Sequence, residues 1–573
     1  MTDDAISVGI QWNRLISIVD EMISALVRTS FSTNVRESYD LSCIIFDSRG
    51  KSIAQGTYSS PGFTGTAPLT LAHMLEVFPP GTLSPGDVVM TNDPWMGTGH
   101  LFDVSVMQPA FRQGRVIGYI MSVTHLPDIG GGGFSATARE VYEEGLRFPV
   151  CKLVRAGKVD EFILSLLRFN VRVPEQTIGD LMANVTCTSL GARLLVEFMN
   201  EYELETIEPL ADAIIAFSER ALREEIAKIP DGVYRHRLQI EGYDAPISLE
   251  CAVDISGDQA GIDFTGSGPP VGAAINVPFC YTEAYASFGI KCIVAPKVPN
   301  NAGSLSVIRI TAPEGCILNA VHPAPVATRH ITGQLLPDMM FGCLGQALRD
   351  RVPAEGTSCL WNLFAMGGDS RVEADIDVVS QSKRFNVMSF HSGGTGARPG
   401  KDGMSATAFP SGVKNCPIEI TEALSPILVK RKEYRVDSGG AGEFRGGLGQ
   451  FMEAYHLDDA PFLISANFDR VIFPARGREG GMNGAVGVVR TGQGRPLRGK
   501  GQQTIQQGET FVMEMPGGGG LGDPRRRDPE MVAADVRYGL VSPEAALRDY
   551  AVVLNQDGGV DSAATAARRR QAA

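Results

Sequence analysis

The strongest constraint in this chain is a hairpin bracketed by a repeated motif. His100-Leu101-Phe102-Asp103 and His125-Leu126-Pro127-Asp128 both read His-Leu-x-Asp. Between them two apolar, β-branched runs, 103–111 and 116–124, meet at the short turn Arg112-Gln113-Gly114. Apolar runs joined so tightly predict a β-hairpin. Folding it lays Asp103 roughly opposite Thr124 and His125, and cross-strand Cβ atoms are about 4.5–5.5 Å apart. Both histidines and at least one aspartate therefore converge at the open end. Two imidazoles and a carboxylate on a rigid pair of strands, flanked by glycine-rich loops, suit a divalent metal.

Length and composition limit what surrounds that hairpin. At 573 residues the chain exceeds the usual size of one core and predicts two to four modules. Apolar residues at 43% and charged ones at 20% are those of a soluble globular protein. No apolar run approaches the ~20 residues that span a bilayer. The first residues, MTDDAISVGIQWNR, are acidic and unlike a signal peptide, so the cytoplasm is the expected compartment. Ten cysteines without a Cys-x-x-Cys pair read as reduced, mostly buried side chains. A net charge of −13 excludes the basic face that nucleic acid requires. The 65 glycines and 34 prolines predict many turns between short strands.

The periodicities give an α+β chain, strand-rich and built of several modules. Region 1–230 carries the metal-bearing hairpin and the central helices, with helices expected at 11–32, 68–77, 160–169, 175–201 and 207–229. Glu37 and Asp40 stand where a strand, 41–46, begins; either could supply another carboxylate, or both could be a solvated strand end. Pro230-Asp231-Gly232 marks a domain boundary. Region 231–523 is glycine-rich and β-rich, with a meander at 234–264, helices at 282–293 and 331–349, strands at 357–365, 372–380 and 385–391, and glycine loops at 393–403, 439–450 and 517–522. Region 524–573 is a helical arm, 529–550, ending in a tail, 561–573, expected to be disordered.

Nucleotide chemistry finds no motif. Gly494 to Lys500 matches most of a P-loop, but Gly501 stands where Ser or Thr is required, and 502–515 reads as a strand rather than the helix that would hold phosphate. Among the other histidines, His330 (Ala-Thr-Arg-His-Ile-Thr-Gly) and His391 (Ser-Phe-His-Ser-Gly-Gly) sit beside small polar loop residues and are candidates to line a substrate pocket.

Several long motifs occur together. Asn92-Asp93-Pro94-Trp95 with Gly99-His100-Leu101-Phe102-Asp103, His125 to Gly131, Gly393 to Gly403, Ser405 to Gly412, Pro516 to Pro524 and Asp528 to Ala545 resemble the hydantoinase B/oxoprolinase family, from about residue 8 to 552. The resemblance implies the metal-containing subunit of an ATP-dependent enzyme hydrolysing a cyclic amide, a hydantoin or lactam. It implies one divalent metal (manganese, zinc or iron) on His100, Asp103 and His125, with a carboxylate from Glu37 or, preferably, Asp40 as the fourth ligand. Asp93 or Asp128 would assist as base or as partner to a ligand. ATP would be bound by a hydantoinase A-like partner, not by this chain, in a hetero-oligomer containing two or more copies.

Two apolar neighbours depart from the family pattern. Phe102 stands where proline is common and Leu126 where histidine or tryptophan is common, which makes both candidates for setting the substrate. Two alternatives accompany the amidohydrolase: the metal subunit of an ATP-dependent ketone carboxylase, or a non-catalytic binding subunit whose metal is structural.

Overall fold

The computed structural model describes residues 3–571 apart from 359, 369–370 and 375–383. They group into two units: Met1–Arg237 with Leu249–Cys343 and Ser411–Lys414, and Leu238–Ser248 with Leu344–Pro410 and Asn415–Ala573. Helices and several separate sheets make it α+β, as the sequence predicts. The units do not part at 230–231. Pro230-Asp231 is a turn within the first unit, joining the helix Glu208–Ile226 to the strand Gly232–Ile240, and the helix Phe279–Val294 also belongs to that unit.

The first unit is organised on a seven-stranded sheet: β1 (Leu41–Asp47), β2 (Ser52–Gln55), β3 (Val88–Thr91), β4 (Asp103–Arg112), β5 (Arg115–His125), β6 (Cys151–Arg155) and β7 (Lys158–Val159), in the order β2-β1-β5-β4-β3-β6-β7. The predicted hairpin is β4–β5. Arg112 pairs with Arg115, leaving Gln113 (φ 51) and Gly114 (φ 76) as a two-residue turn. Both are left-handed, as the type I′ hairpin turn requires.

Both faces of this sheet are covered, which is why β1 is buried along its whole length. Alternate residues of β5 serve the two sides. Ile120 joins Leu15, Val19 and Met22 of the helix Asp3–Thr29 and Leu195 and Phe198 of Pro174–Glu201. Tyr119, Met121 and Val123 join Phe63, Leu71 and Met74 of the helix Pro61–Val77. Gly191 lets its helix approach the sheet: a Cβ there would lie 2.7 Å from Ile120 and 2.5 Å from Met22. The helix Pro61–Val77 begins before residue 68, because Pro61 occupies a first-turn position where a missing N–H costs nothing.

In the second unit two four-stranded sheets share one apolar cluster. Trp361–Gly367 and Phe462–Asn467 are central in one, Gln450–His456 and Phe511–Glu514 in the other, and Trp361, Ile464, Met452 and Met513 meet between them. The strand expected at 372–380 lies mainly outside the described residues.

The glycine loops prove to be scaffold. Along 517–522 successive N–H groups turn to different neighbours: Gly517 to Ala485 O, Gly518 to Gly447 O, Gly519 to Glu355 O, Gly520 to Met482 O, Leu521 to Phe444 O and Gly522 to Arg478 O, all at 2.9–3.1 Å. Residues 517 and 520 return to one segment (482–485), 518 and 521 to another (444–447). That is the three-residue period of an extended polyproline II-type chain. A Cβ on Gly517 would lie 1.8 Å from Ser438 O, and one on Gly518 2.0 Å from Thr395 O. Segments packed backbone to backbone from several sides require glycine.

The C-terminal tail corrects another expectation. Ser562–Gln571 is a helix, not a disordered segment. Four of its residues are alanine, the best helix former. Asp561 accepts the N–H of Ala564, buried Thr565 exchanges hydrogen bonds with Val553, and Arg569 donates to Arg527 O at 2.8 Å.

Candidate metal centre

Register creates the site. Asp103 and His125 are direct cross-strand partners at the open end of β4–β5. His100 arrives from the loop before β4, where Gly99 takes φ +91 and a Cβ would press on Tyr281 at 3.2 Å. His100, Asp103 and His125 each offer one donor atom, all within 4.8 Å of one another, and all three residues are buried.

The hydrogen bonds leave these donors bare. His100 Nδ1 lies 2.8 Å from Ala327 O and His125 Nδ1 2.9 Å from Leu126 O. Carbonyls only accept, so each Nδ1 carries the proton and each Nε2 keeps its lone pair. Asp103 Oδ2 accepts from Thr98 Oγ1 and Arg329 Nη2, both at 2.6 Å. Among the described residues His100 Nε2, His125 Nε2 and Asp103 Oδ1 have no hydrogen-bond partner, although His100 Nε2 and Asp103 Oδ1 are only 2.8 Å apart. Three buried, unpartnered lone pairs pointed at one another fit a cation, and fixed outer partners of this kind are what orient metal ligands.

The electrostatics agree. Burial, reinforced by Arg329, lowers His100, and burial lowers His125 to about 3, so both imidazoles are neutral, the form that binds metal. Burial alone would raise Asp103, but the Arg329 guanidinium beside it holds its carboxyl below the carboxylate range. Burial and the neighbouring Asp103 push Asp40 up to about 8, against the pull of Arg329. Two buried carboxyls in one field form a site that a cation would relieve.

Asp40 leads into β1, is 8% exposed, and its carbonyl accepts the His125 N–H at 3.2 Å. Glu37 is half-buried at the end of the short helix Thr33–Arg36. Phe102 stacks on His125 with ring centroids 5.4 Å apart, and Leu126, 2% exposed, donates its N–H to Phe102 O. His330 stacks on Phe134, which meets His100, His125 and Phe102 edge-on. Burial and Arg329 hold His330 well below the usual histidine range.

Other sequence candidates are engaged elsewhere. Asp93 pairs with Arg147 and caps Trp95 N–H; Asp128 pairs with Arg172 and caps Gly130 N–H. Neither joins the cluster of donor atoms. His391 lies in the second unit, at the end of the strand Phe385–His391, with Nε2 2.9 Å from Ser389 Oγ. Sequence reasoning missed Thr98, Phe134, Arg329 and the carbonyl of Ala327. The only local signal was the Arg-His pair at 329–330, because Arg329 and Asp103 are 226 residues apart.

Comparison with known proteins is consistent along the whole chain. The profile of the hydantoinase B/oxoprolinase family matches residues 4–524. A Pseudomonas sp. (strain NS671) chain, provisionally named as a subunit of a D-/L-hydantoinase, is 30% identical over 97% of this chain and 96% of its own length. The crystal structure of the ATP-dependent caprolactamase of Pseudomonas jessenii aligns with a TM-score of 0.89 at 29% identity, covering all of both chains. A nucleotide-free acetone carboxylase aligns with a TM-score of 0.87 at 19% identity, over all of this chain and 83% of the other, a likeness of fold.

Proposed function

The chain belongs to the hydantoinase B/oxoprolinase family, and on that premise we propose that it is the metal-bearing subunit of an ATP-dependent enzyme that hydrolyses a cyclic amide, a hydantoin or lactam. The observation that carries this reading is the convergence of three unpartnered donors, His100 Nε2, Asp103 Oδ1 and His125 Nε2, at one buried point.

These three residues would hold a manganese, zinc or iron ion, and Asp40, which lies outside the trio of convergent donors but is buried in the field of Asp103, is our candidate for a fourth ligand. The bound metal would supply Lewis acidity towards a substrate oxygen. The rest of the work falls to side chains. Ala327 and Leu126 fix the tautomers of the two histidines; Thr98 and Arg329 fix the Asp103 carboxylate, so its remaining oxygen faces the donors. Phe102 and Phe134 pack on the imidazoles and exclude water, which strengthens every electrostatic contact inside. Asp93 and Asp128, each tied to an arginine, act in positioning their loops rather than as bases.

ATP chemistry is assigned to a hydantoinase A-like partner. Lys500–Ile505 is a strand where a P-loop requires a helix. Co-expression with such a partner, followed by assay of ring opening of caprolactam and hydantoin with and without ATP, tests the reading. Activity is expected only with both subunits and ATP. Amide hydrolysis by this chain alone, or full activity after chelation of the metal, would refute it.

A further inference from the structure

We propose that Glu144 is a positioning residue for the metal centre: its carboxyl holds the 326–329 turn where Ala327 can orient His100 and Arg329 can hold Asp103. The proposal rests on the reading that the His100–Asp103–His125 cluster binds a metal.

Glu144 has no exposed surface and ends the turn Val141–Glu143. Its Oε1 accepts two successive backbone N–H groups, from Val326 and, at 2.8 Å, from Ala327. One oxygen bonded to adjacent amides fixes both the place and the tilt of that peptide. The turn then closes on itself, with Arg329 N–H donating to Val326 O at 2.9 Å. Two contacts leave this turn for two different ligands. Ala327 O accepts His100 Nδ1–H at 2.8 Å, and Arg329 Nη2 donates to Asp103 Oδ2 at 2.6 Å. One carboxyl therefore sets the outer partners of two donors while touching neither.

Other anchors do not replace it. Thr328 is tied on its own account, its N–H and hydroxyl both donating to Ala274 O. The amides of Val326 and Ala327 depend on Glu144, and without it two buried N–H groups would lose their acceptor. Glu144 is itself tightly seated: a Cβ on Gly131 would lie 2.5 Å from its carbonyl carbon, and Gly132 N–H donates to Glu143 O at 2.8 Å. Burial pushes the carboxyl up to about 8 despite these N–H bonds. Both N–H groups reach a single oxygen, which an amide oxygen can replace, so glutamine should serve and alanine should not.

The test uses cobalt(II) as the metal probe on the full chain, with affinity from chelator competition, the visible spectrum of the bound ion, and thermal unfolding of the metal-free protein. Glu144→Gln is expected to keep wild-type affinity within about threefold, whereas Glu144→Ala binds cobalt about 10–100-fold more weakly with altered bands. Glu144→Asp, one methylene short, should fall between them, and it carries the test if the alanine variant does not fold. A folded alanine or aspartate variant with wild-type affinity and spectrum overturns the proposal, as does a glutamine variant as weak as alanine. Wild type that takes up no cobalt refutes the metal reading itself, and the positioning role with it.

Discussion

Arg329 Nη2 donates to Asp103 Oδ2 at 2.6 Å, and both side chains are almost wholly buried. A guanidinium held over the Tyr281 ring at 4.2 Å, with its Nε on Thr98 O, cannot swing away to a different partner. The pair decides which Asp103 oxygen faces the donor cluster. Arg329→Met should leave a buried carboxylate short of its partner, a change that costs about 3–5 kcal/mol in comparable buried pairs. Metal titration should show affinity reduced by about 10–100-fold, as for other outer partners of ligands. Undiminished affinity would remove Arg329 from the centre.

Asp40 and Glu37 make a contrasting pair. Asp40 is buried and shares the field of Asp103, whereas Glu37 is half-buried at a helix end. Elemental analysis after gel filtration should find about one metal per wild-type chain and none in His100→Ala. Asp40→Asn should weaken retention, and Glu37→Gln should behave as wild type. The reverse order would move the fourth ligand to Glu37.

The hairpin and the convergence of His100, Asp103 and His125 were legible because they are local: period-two runs, a Gln-Gly turn and a register that pairs Asp103 with His125. Helices with long apolar stripes, such as Asp3–Thr29, were legible for the same reason. Arg329, Thr98 and Glu144 were not, because their roles exist only once segments distant in sequence are folded together. The Pro230-Asp231-Gly232 turn is a real turn, but local turn chemistry carries no information about which later strands return to the same core. Glycine runs misled most. A run of glycines has the same composition in a flexible loop and in a close-packed extended chain, and only the surrounding backbones distinguish the two.

That distinction is measurable. Gly518→Ala puts a Cβ 2.0 Å from Thr395 O, and the obstacle is backbone, which cannot rotate aside. Gly272→Ala meets nothing within 4 Å and is the control. Urea denaturation should show a loss of about 3 kcal/mol or more for Gly518→Ala, the upper end of overpacking costs. The control should stay within about 0.5 kcal/mol of wild type. Similar behaviour of the two variants would mean that residues 517–522 are a tolerant loop after all.

His391 gives the second unit a predictable acid limb. Burial, with a smaller contribution from Lys432, lowers it from 6.5 to about 3 in the fold. Above pH 6.5 the ring is neutral folded or unfolded and adds no pH dependence. Below it the unfolded chain takes up a proton that the folded one resists until about pH 3, so stability falls through that window. The slope from one such group is about 1.4 kcal/mol per pH unit. His391→Gln should therefore gain on wild type as pH falls from 6.5 to 4.5, whatever its starting deficit, when unfolding free energies are compared at each pH. Parallel curves would show that His391 is protonated in the fold.

On the proposed reading, substrate preference should follow from what surrounds the donors. Phe102 stacks on His125, Phe134 meets both imidazoles edge-on, and Leu126 is buried beside them. A hydantoin ring brings two N–H and two C=O groups into such a site, whereas a lactam brings one of each. Every polar group left without a partner costs about 1–3 kcal/mol. With the ATP-binding partner present, kcat/KM should favour caprolactam over hydantoin by about tenfold or more, the ratio that corresponds to 1.4 kcal/mol. Leu126→His places a donor and acceptor among these apolar side chains and should narrow the ratio, chiefly by improving hydantoin. If the ratio does not move, Leu126 only fills core, and the determinants of specificity belong nearer the stacked pair Phe134 and His330.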